Sequence, residues 1–416
     1  MSEHRPSVRP YDSDSDAAFV ERILLEVGWR KPSERKQAKA AREAFQNASD
    51  AFVAELSGEP ECYVTTMPGD YDYHGERLPF SGVTGVVTSR VARKQGLASR
   101  TTARALAACA ERGSVVAGLG IFDQGFYDKL GFGTGGYEHF VRLDPASLTV
   151  PYCRRPPVRL SPDDIAEMHA ARLGRRRCHG SVSLLPEAFS GMVAAESELG
   201  FGLGFRDETS GELTHHVWVH TDNGEEGPYR VSWAAYRTLA EFVELLGLLR
   251  NLGDQVYLVW LAEPAGVQLQ DFIDRPFRQR RERRKGEFEA ASSATAVFQY
   301  RILDVERAMA AAAARRALPR FVMRVVDPAA RYLHDHDGWQ GAAGDYEVGE
   351  SGAARLDGEH ATPDVVIGVG DLTRAWSAVL PMSTLRETSG VKITEDLAHA
   401  LDEAFAGPAP RSDWLY

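Results

Sequence analysis

Residues 86–100 constrain this chain more than any other stretch, because they predict a strand, a basic turn and a helix in immediate succession. The β-branched run Val86-Val87-Thr88 favours a strand, and the alanine-rich residues after Gly96 favour a helix. A strand that leads into a helix start directs several unpaired backbone N–H groups at one place. The spacing Arg93-x-x-Gly96-x-Ala98 adds positive charge and small residues, which indicates a pocket for a diphosphate-bearing cofactor. An ordinary turn of an α/β fold is the alternative.

Composition and charge narrow the function classes. A chain of 416 residues predicts two or three domains, and 26% charged residues are ordinary for a globular protein. The formal net charge of −11 disfavours nucleic-acid binding and suits a cationic, amine-bearing substrate. No run is long enough to span a bilayer and no signal segment is visible, so we expect a cytoplasmic protein. The four cysteines are widely spaced, which favours free thiols over a disulfide framework or a metal site.

The sequence also indicates an internal duplication. Segments that begin at Ser7 and at Pro157 both predict a short strand, an Asp or Ser cap and an amphipathic helix. Their separation is close to the length of one domain. In the second copy, residues 229–239 lead into a helix without a glycine where a phosphate would approach. We therefore expect the second copy to keep the fold and to have lost the cofactor.

Two breaks divide the chain into three predicted domains, at 1–150, 151–295 and 296–416. Residues 145–157 are rich in proline, and residues 280–293 are polar. The third domain combines an alanine-rich helix at 305–318 with predicted strands at 320–327 and 331–336 and two closing helices, which predicts a small α+β unit. His334 and His336 would share one face of a strand and could supply two metal ligands. No third ligand stands at a recognisable spacing, so no metal is predicted.

Two further segments carry aromatic groups at informative positions. An apolar strand at 115–122 is followed by a turn that carries Tyr127 and then by a Gly-aromatic-Gly strand start at 131–133. Packing in a half-buried position is the alternative role for this tyrosine. The chain ends in Trp414-Leu415-Tyr416 after a proline-stiffened lead. Exposing those rings to water would be unfavourable, so we expect the tail to dock and to fix its α-carboxylate in place.

The first loop and the Tyr127 segment resemble the acetyl-CoA loop and the closing Tyr-x-x-x-Gly-Phe motif of the GNAT N-acetyltransferases. The resemblance implies that a strand pairs with the amide-rich arm of acetyl-CoA, that the loop cradles the diphosphate, and that the tyrosine protonates the departing sulfur. The residues so assigned are Val86, Val87 and Thr88 for the arm, Arg93, Lys94, Gly96, Leu97, Ala98 and Ser99 for the diphosphate, and Tyr127 for the sulfur.

Over essentially its full length the chain resembles the Eis (enhanced intracellular survival) acetyltransferases. The resemblance lies in Arg93-Lys94-Gln95-Gly96-Leu97, the residues 126–133, Ser383-Thr384-Leu385-Arg386, and Leu401-Asp402-Glu403-Ala404-Phe405-Ala406 with its aromatic end. It implies an α/β (α+β) fold: two GNAT-like domains in tandem, then a domain similar to sterol carrier proteins. It also implies a hexamer, a terminal carboxylate on Tyr416 that takes the amine proton, and backbone contacts to the cofactor at Phe122 and Asp123.

Acetyl transfer to an amine requires a held thioester, a deprotonated amine, a stabilised oxyanion and a protonated leaving sulfur. The resemblance implies this activity by direct attack in a ternary complex, with aminoglycosides as the first substrate class and lysine side chains as the second. Glu26, Trp29 and Asp413 are candidates for the substrate pocket. Two non-catalytic alternatives stay open: a carrier of an apolar ligand, and a regulator that senses acetyl-CoA.

Overall fold

The computed structural model describes residues 7–31, 35–276, 290–333, 337–358 and 362–416. Its α-helices are α1 (Ser13–Glu26), α2 (Lys36–Ala48), α3 (Leu97–Glu111), α4 (Ile165–Leu173), α5 (Glu187–Ala195), α6 (Leu239–Asn251), α7 (Val305–Arg315), α8 (Val369–Trp376), α9 (Met382–Thr388) and α10 (Glu395–Phe405). Within these residues, no helix combines the length and the apolar character needed to cross a membrane.

Strands of these residues form three sheets. The strands are β1 (Val8–Pro10), β2 (Asp50–Leu56), β3 (Glu59–Tyr73), β4 (Glu76–Thr88), β5 (Val116–Gly120), β6 (Gly133–Thr134), β7 (Glu138–Leu143), β8 (Val158–Leu160), β9 (Val182–Leu184), β10 (Phe201–Arg206), β11 (Leu213–His220), β12 (Tyr229–Ala235), β13 (Val259–Ala262), β14 (Ala291–Thr295), β15 (Phe298–Ile302), β16 (Phe321–Val326), β17 (Gly344–Gly349), β18 (Gly352–Arg355) and β19 (Val365–Gly368).

The first sheet has the strand order β1-β2-β3-β4-β5-β15-β6, and β9 pairs with β3. Its strands β4 and β5 run parallel and are connected by α3, whose alanine-rich face packs on one side of the sheet. The start of α3 follows from the backbone of Gly96, which takes a φ of 80° that favours glycine. The sheet therefore carries the predicted strand, turn and helix at its centre.

The second sheet repeats the arrangement of the first. Its strand order is β14-β7-β13-β12-β11-β10-β8, and β12 and β13 again run parallel with a helix, α6, between them in sequence. Both copies begin as expected: Asp12 caps α1, and Ser161 caps the helical turn that leads into α4. This repetition is consistent with tandem GNAT-like units.

The sheets draw strands from across the predicted boundaries at 150 and 295. Strand β7 lies in the second sheet between β14 and β13, and β9 pairs with β3 of the first sheet. Strand β15 lies between β5 and β6, so a strand from the third segment completes the first sheet. Backbone pairing of this kind depends on partners far apart in sequence, which local patterns do not encode.

The third sheet has the order β18-β17-β16-β19, with α7 and α8 packed on it. Trp376 of α8 is fully buried and donates its indole N–H to the Ala308 carbonyl at 2.8 Å. The expected strand over residues 331–336 is wrong for its described part, since Pro328–Tyr332 form a 3₁₀ turn that Asp327 caps. His334 and His336 lie outside the described residues. The likeness of this unit to sterol carrier proteins stays a prediction.

Candidate active site

A gap between β4 and β5 forms the centre of the site. The two strands pair only from Phe80 with Val116 to Val83 with Leu119, although β4 continues to Thr88. Beyond Val83, the residues Val86, Val87 and Thr88 pair with β3 on one side and with no described strand on the other. The parallel strands thus part at their carboxyl ends and leave a backbone edge that an extended, amide-rich ligand can pair with.

The loop after β4 carries an open helix start. Arg93, Lys94 and Gly96 are exposed, and the backbone of Lys94 and Gly96 lies in the left-handed region, with φ of 65° and 80°. No side chain caps the N-terminus of α3, so its first N–H groups are available to an anion. The free N–H groups belong to the first turn of α3, in which the Leu97 and Ser99 side chains are buried and Ala98 is half-buried. The loop therefore fits a diphosphate.

The equivalent helix start in the second sheet is closed by its own side chains. Thr238 caps α6 by accepting from the Glu241 N–H at 3.2 Å, and the Glu241 carboxylate accepts from the Thr238 N–H at 3.1 Å. The same carboxylate accepts from the Arg237 N–H at 2.5 Å. A carboxylate at this helix start would repel a phosphate, and it already accepts from the two N–H groups just before the helix. The loss of cofactor binding in the second copy stays a prediction.

Tyr127 opens a 3₁₀ turn, Tyr127–Leu130, on the α3 face of the first sheet. Its ring is buried, makes edge contacts with Phe126 and Phe132 at centroid distances of 4.9 and 6.0 Å, and belongs to the α3 core cluster. Burial raises the pKa of Tyr127 to about 12, and the nearby charge of Asp123 adds to the effect. The phenol thus keeps its proton at neutral pH, as a general acid requires.

A buried ion pair from the third segment fixes the end of this turn. Arg301 of β15 and Asp327 are both fully buried, with a guanidinium-to-carboxylate distance of 2.6 Å. Arg301 also donates to the Leu130 carbonyl. Gly131 follows the turn with a φ of 77°, and a Cβ there would lie 2.5 Å from Val369. The backbone after the turn is therefore packed closely against Val369 and the ion pair. The position of Tyr127 therefore depends on elements from the third segment.

The tail, residues 406–416, docks as expected. Trp414 is buried, and the ring of Tyr416 stacks on Phe298 at a centroid distance of 4.9 Å and meets Phe80 edge-on at 5.9 Å. The terminal residue lies against the backbone of β5. A Cβ built on Gly120 would lie 3.0 Å from a terminal oxygen of Tyr416, which places the carboxylate at the end of β5 where the strands part.

Gly82 and Gly118 make room for the terminal ring, and Gly120 makes room for the terminal carboxylate; we call these three glycines the ring slot. A Cβ on Gly118 would lie 2.4 Å from the Tyr416 hydroxyl and 2.8 Å from Phe80 and Tyr300. Gly82 and Gly118 are cross-strand partners, so their open faces coincide. Sequence reasoning missed this slot, and its signal was the alternation Gly118-Leu119-Gly120 in a buried strand.

Tyr127 and Tyr416 lie on opposite faces of the first sheet. Tyr416 lies on the face of Phe298 and Gly118, whereas Tyr127 clusters with Leu119 on the other face. Neighbouring residues of a strand point to opposite faces, which explains how β5 separates the two groups. The two tyrosines are therefore separated by the sheet itself.

Gly118→Ala tests the ring slot. We expect this added methyl group to cost about 1–3 kcal/mol by overpacking and to displace the Tyr416 ring. The melting temperature and the turnover number should both fall. Gly349→Ala is the matched control, since a Cβ there meets nothing within 4 Å. Equal melting temperatures for the two variants would contradict the slot.

The other predicted residues fall in different places. Phe122 is 89% exposed and Asp123 is exposed, both in the loop after β5. Trp29 is 54% exposed and lies 3.7 Å from a Cβ built on Gly85, beside the gap. Glu26 accepts from the Arg90 N–H at 3.0 Å and so supports the cofactor loop. Asp413 is ion-paired with an arginine, at 2.6 Å, and belongs to the tail attachment rather than to an open pocket.

A cleft of about 620 Å³ opens beside Trp29, between α2 with the residues before it and the residues at the ends of α5 and β11. Its two sides differ in charge. One side carries Arg30, Lys31, Arg35 and Arg42, and the other carries Glu196, Glu198 and Asp222. Within the described residues, no group of three or more His, Cys, Asp or Glu side chains could hold a metal ion.

Residues 13–135 match the family described as acetyltransferase (GNAT) domain. This match covers less than a third of the chain, and it supports an acyltransferase that carries a GNAT domain. No curated protein matches the sequence.

Solved structures share its architecture along the whole chain. A protein of unknown function from Enterococcus faecalis, described as a probable N-acyltransferase, has a TM-score of 0.76 at 14% identity over 98% of both chains. Eis1 from Mycobacterium abscessus has a TM-score of 0.73 at 17% identity over 99% of this chain and 100% of its own. A GCN5-related N-acetyltransferase from Anabaena variabilis has a TM-score of 0.74 at 13% identity, over 99% and 100%. At these identities, the likeness establishes an Eis-like fold.

Proposed function

We propose that the chain transfers the acetyl group of acetyl-CoA to a primary amine. The observation that carries this proposal is the parting of β4 and β5, with a protonated phenol on one face of the sheet and a chain-terminal carboxylate at the end of β5. A thioester drawn into the opening would pair its amide-rich arm with residues 86–88 and rest its diphosphate on the start of α3. In the proposed division at 1–150, 151–295 and 296–416, residues 1–150 are the catalytic domain, and β9 and β15 of the later segments complete its sheet.

Each group then has a defined role. The amine nitrogen attacks the thioester carbonyl, so that a C–N bond forms and the C–S bond breaks. The Tyr416 carboxylate accepts the proton that the amine loses, directly or through one water, and the Tyr127 hydroxyl donates a proton to the departing sulfur. Backbone N–H groups near Phe122 and Asp123 would polarise the carbonyl oxygen. A ternary complex suffices, and no acyl-enzyme forms.

The acceptor enters through the cleft beside Trp29. Its carboxylate side suits the amines of an aminoglycoside or a lysine-like side chain, which remain the first and second acceptor classes. Its cationic side also accommodates an acceptor that carries an anionic group. The panel of acceptors should therefore include aminoglycosides, lysine peptides and amino acids with free amines. A cytoplasmic hexamer stays a prediction.

Free thiol release tests the proposal. Purified protein with acetyl-CoA should release CoA thiol only when an amine acceptor is added, and the acceptor should gain one acetyl group by mass spectrometry. Failure of every amine class to release thiol, together with tight binding of acetyl-CoA or of an apolar ligand, would replace this function with the sensing or the carrier alternative.

Trp29→Ala tests the path of the acceptor. A desolvated contact between an ammonium group and an indole ring contributes on the order of 1–2 kcal/mol. We therefore expect the KM for the amine to rise about tenfold, while the KM for acetyl-CoA stays within about twofold. Tyr152→Ala is a control, because Tyr152 is 61% exposed and contacts Arg250 away from the gap. An unchanged KM for every amine would exclude this cleft as the acceptor site.

A further inference from the structure

The tail is attached to the second sheet and to a residue just after helix α4, as well as to the first sheet that it serves. Arg175, just after α4, forms a bidentate ion pair with Asp413, with nitrogen-to-oxygen distances of 2.6 and 3.2 Å. Its remaining N–H groups donate to the Arg172 and Val182 carbonyls at 2.9 and 2.7 Å and to the Ser183 hydroxyl at 3.0 Å. All five guanidinium donors are thus used, and the side chain is 5% exposed.

A second contact holds the Trp414 ring, next to the ion pair of Arg175 and Asp413. Trp414 is 1% exposed, and the guanidinium of Arg172 lies 3.7 Å from its ring centroid. The other face of Arg172 meets Trp233 of the second sheet at 4.2 Å, and its Nη1 donates to the Ser190 hydroxyl at 2.6 Å. A buried guanidinium between two indole rings is held firmly and binds the tail through stacking.

A third contact fixes the backbone. Glu138 of β7 accepts from the Ser412 N–H at 2.7 Å and from the Arg411 side chain at 3.2 Å. The Val182 N–H donates to the Ser412 carbonyl at 3.0 Å. Residues 411–414 are therefore fixed by hydrogen bonds, an ion pair and ring stacking. The last of them, Trp414, lies two residues before the terminal residue.

We propose that Arg175, Arg172 and Glu138, the anchor residues, act as positioning residues that set the place of the Tyr416 carboxylate at the gap of the first sheet. The inference rests on the proposed function, in which this carboxylate is the base. The anchor residues contact the tail at residues 411–414, so we expect them to act on the terminal carboxylate through the tail. A second copy that has lost its cofactor site is, in this view, retained because it holds the base for the first.

The test combines substitutions with removal of the terminal residue. Arg175→Lys cannot reproduce the planar five-donor pattern, and Asp413→Asn removes the charge while leaving the other Arg175 bonds in place. We expect each to lower kcat about tenfold to a hundredfold, with the KM for acetyl-CoA within about twofold. In a chain lacking Tyr416, the same substitutions should change kcat by less than about twofold, because groups that act through one carboxylate are not additive. Arg155→Lys, in a bidentate pair with Glu244 remote from the tail, is the control.

Release of Tyr416 by a carboxypeptidase, followed by intact-protein mass spectrometry, gives a readout that needs no turnover. The wild-type tail should resist, and both variants should lose Tyr416 at least about tenfold faster, while the Arg155→Lys chain behaves as wild type. The proposal would be overturned if the substitutions lowered kcat by the same factor in the chain lacking Tyr416 as in the full chain. It would also be overturned if the substitutions left the resistance of the tail to the carboxypeptidase unchanged. If the wild-type protein acetylates no amine, the proposed function fails, whereas the protease result still decides whether the anchor residues hold the tail.

Discussion

Replacing Tyr127 with phenylalanine should lower kcat by about a hundredfold or more, the usual contribution of a positioned general acid. The KM for acetyl-CoA should change by less than about twofold, because the arm and the diphosphate contact residues 86–88 and the start of α3. The phenylalanine ring can keep the edge contacts with Phe126 and Phe132, so the fold should persist. Steady-state thiol release at varied acetyl-CoA and varied amine measures both quantities.

The pH profile adds a second readout for Tyr127. A general acid works while protonated and stops working as the pH rises through its pKa, which burial raises to about 12. The wild-type kcat should therefore show no alkaline fall from this group up to about pH 10. Tyr137→Phe is the control, since Tyr137 is 64% exposed. Full activity of Tyr127→Phe across this range would remove the phenol from the mechanism.

Deleting Tyr416 should have an effect of similar size. The deletion shifts the free carboxylate by about 3.5 Å along an extended chain and leaves the ring slot empty. We expect kcat to fall about a hundredfold or more, with a smaller change in the KM for acetyl-CoA. The melting temperature should fall as well, because the stack on Phe298 and the edge contact with Phe80 are lost.

A one-residue extension separates the acid group from the ring. Adding a glycine after Tyr416 converts its carboxylate into an amide while keeping the ring and its slot. This chain should lose kcat about as much as the deletion but retain the wild-type melting temperature. Normal turnover in both chains would show that the amine proton goes elsewhere.

The local parts of the site could be predicted from sequence. The β-branched run before Gly96 and the alanine-rich run after it encode a strand, a turn and a helix within a short window. The docked tail followed from the cost of exposing Trp414 and Tyr416 to water. Near the end of the chain, Thr394 stands at the N-cap position of α10 and makes no side-chain capping bond.

The parts that depend on distant pairing could not be predicted. No local pattern marks Arg301, and only its burial beside Asp327 shows how it supports the Tyr127 turn. Likewise, nothing in the sequence Arg175-Arg176-Arg177 distinguishes the buried Arg175 from a solvated charge. Long-range register and buried ion pairs depend on partners that a sequence window does not contain.

Because β15 lies between β5 and β6, the acyltransferase unit is interlaced with the rest of the chain. A gene fragment that stops before residue 298 would leave the edge of β5 bare and would remove Arg301 from beneath the turn that carries Tyr127. The acyltransferase unit therefore cannot be transferred to another protein without the rest of the chain. Recombination that exchanged any one segment with a distant homologue would have to carry compatible strands from the others.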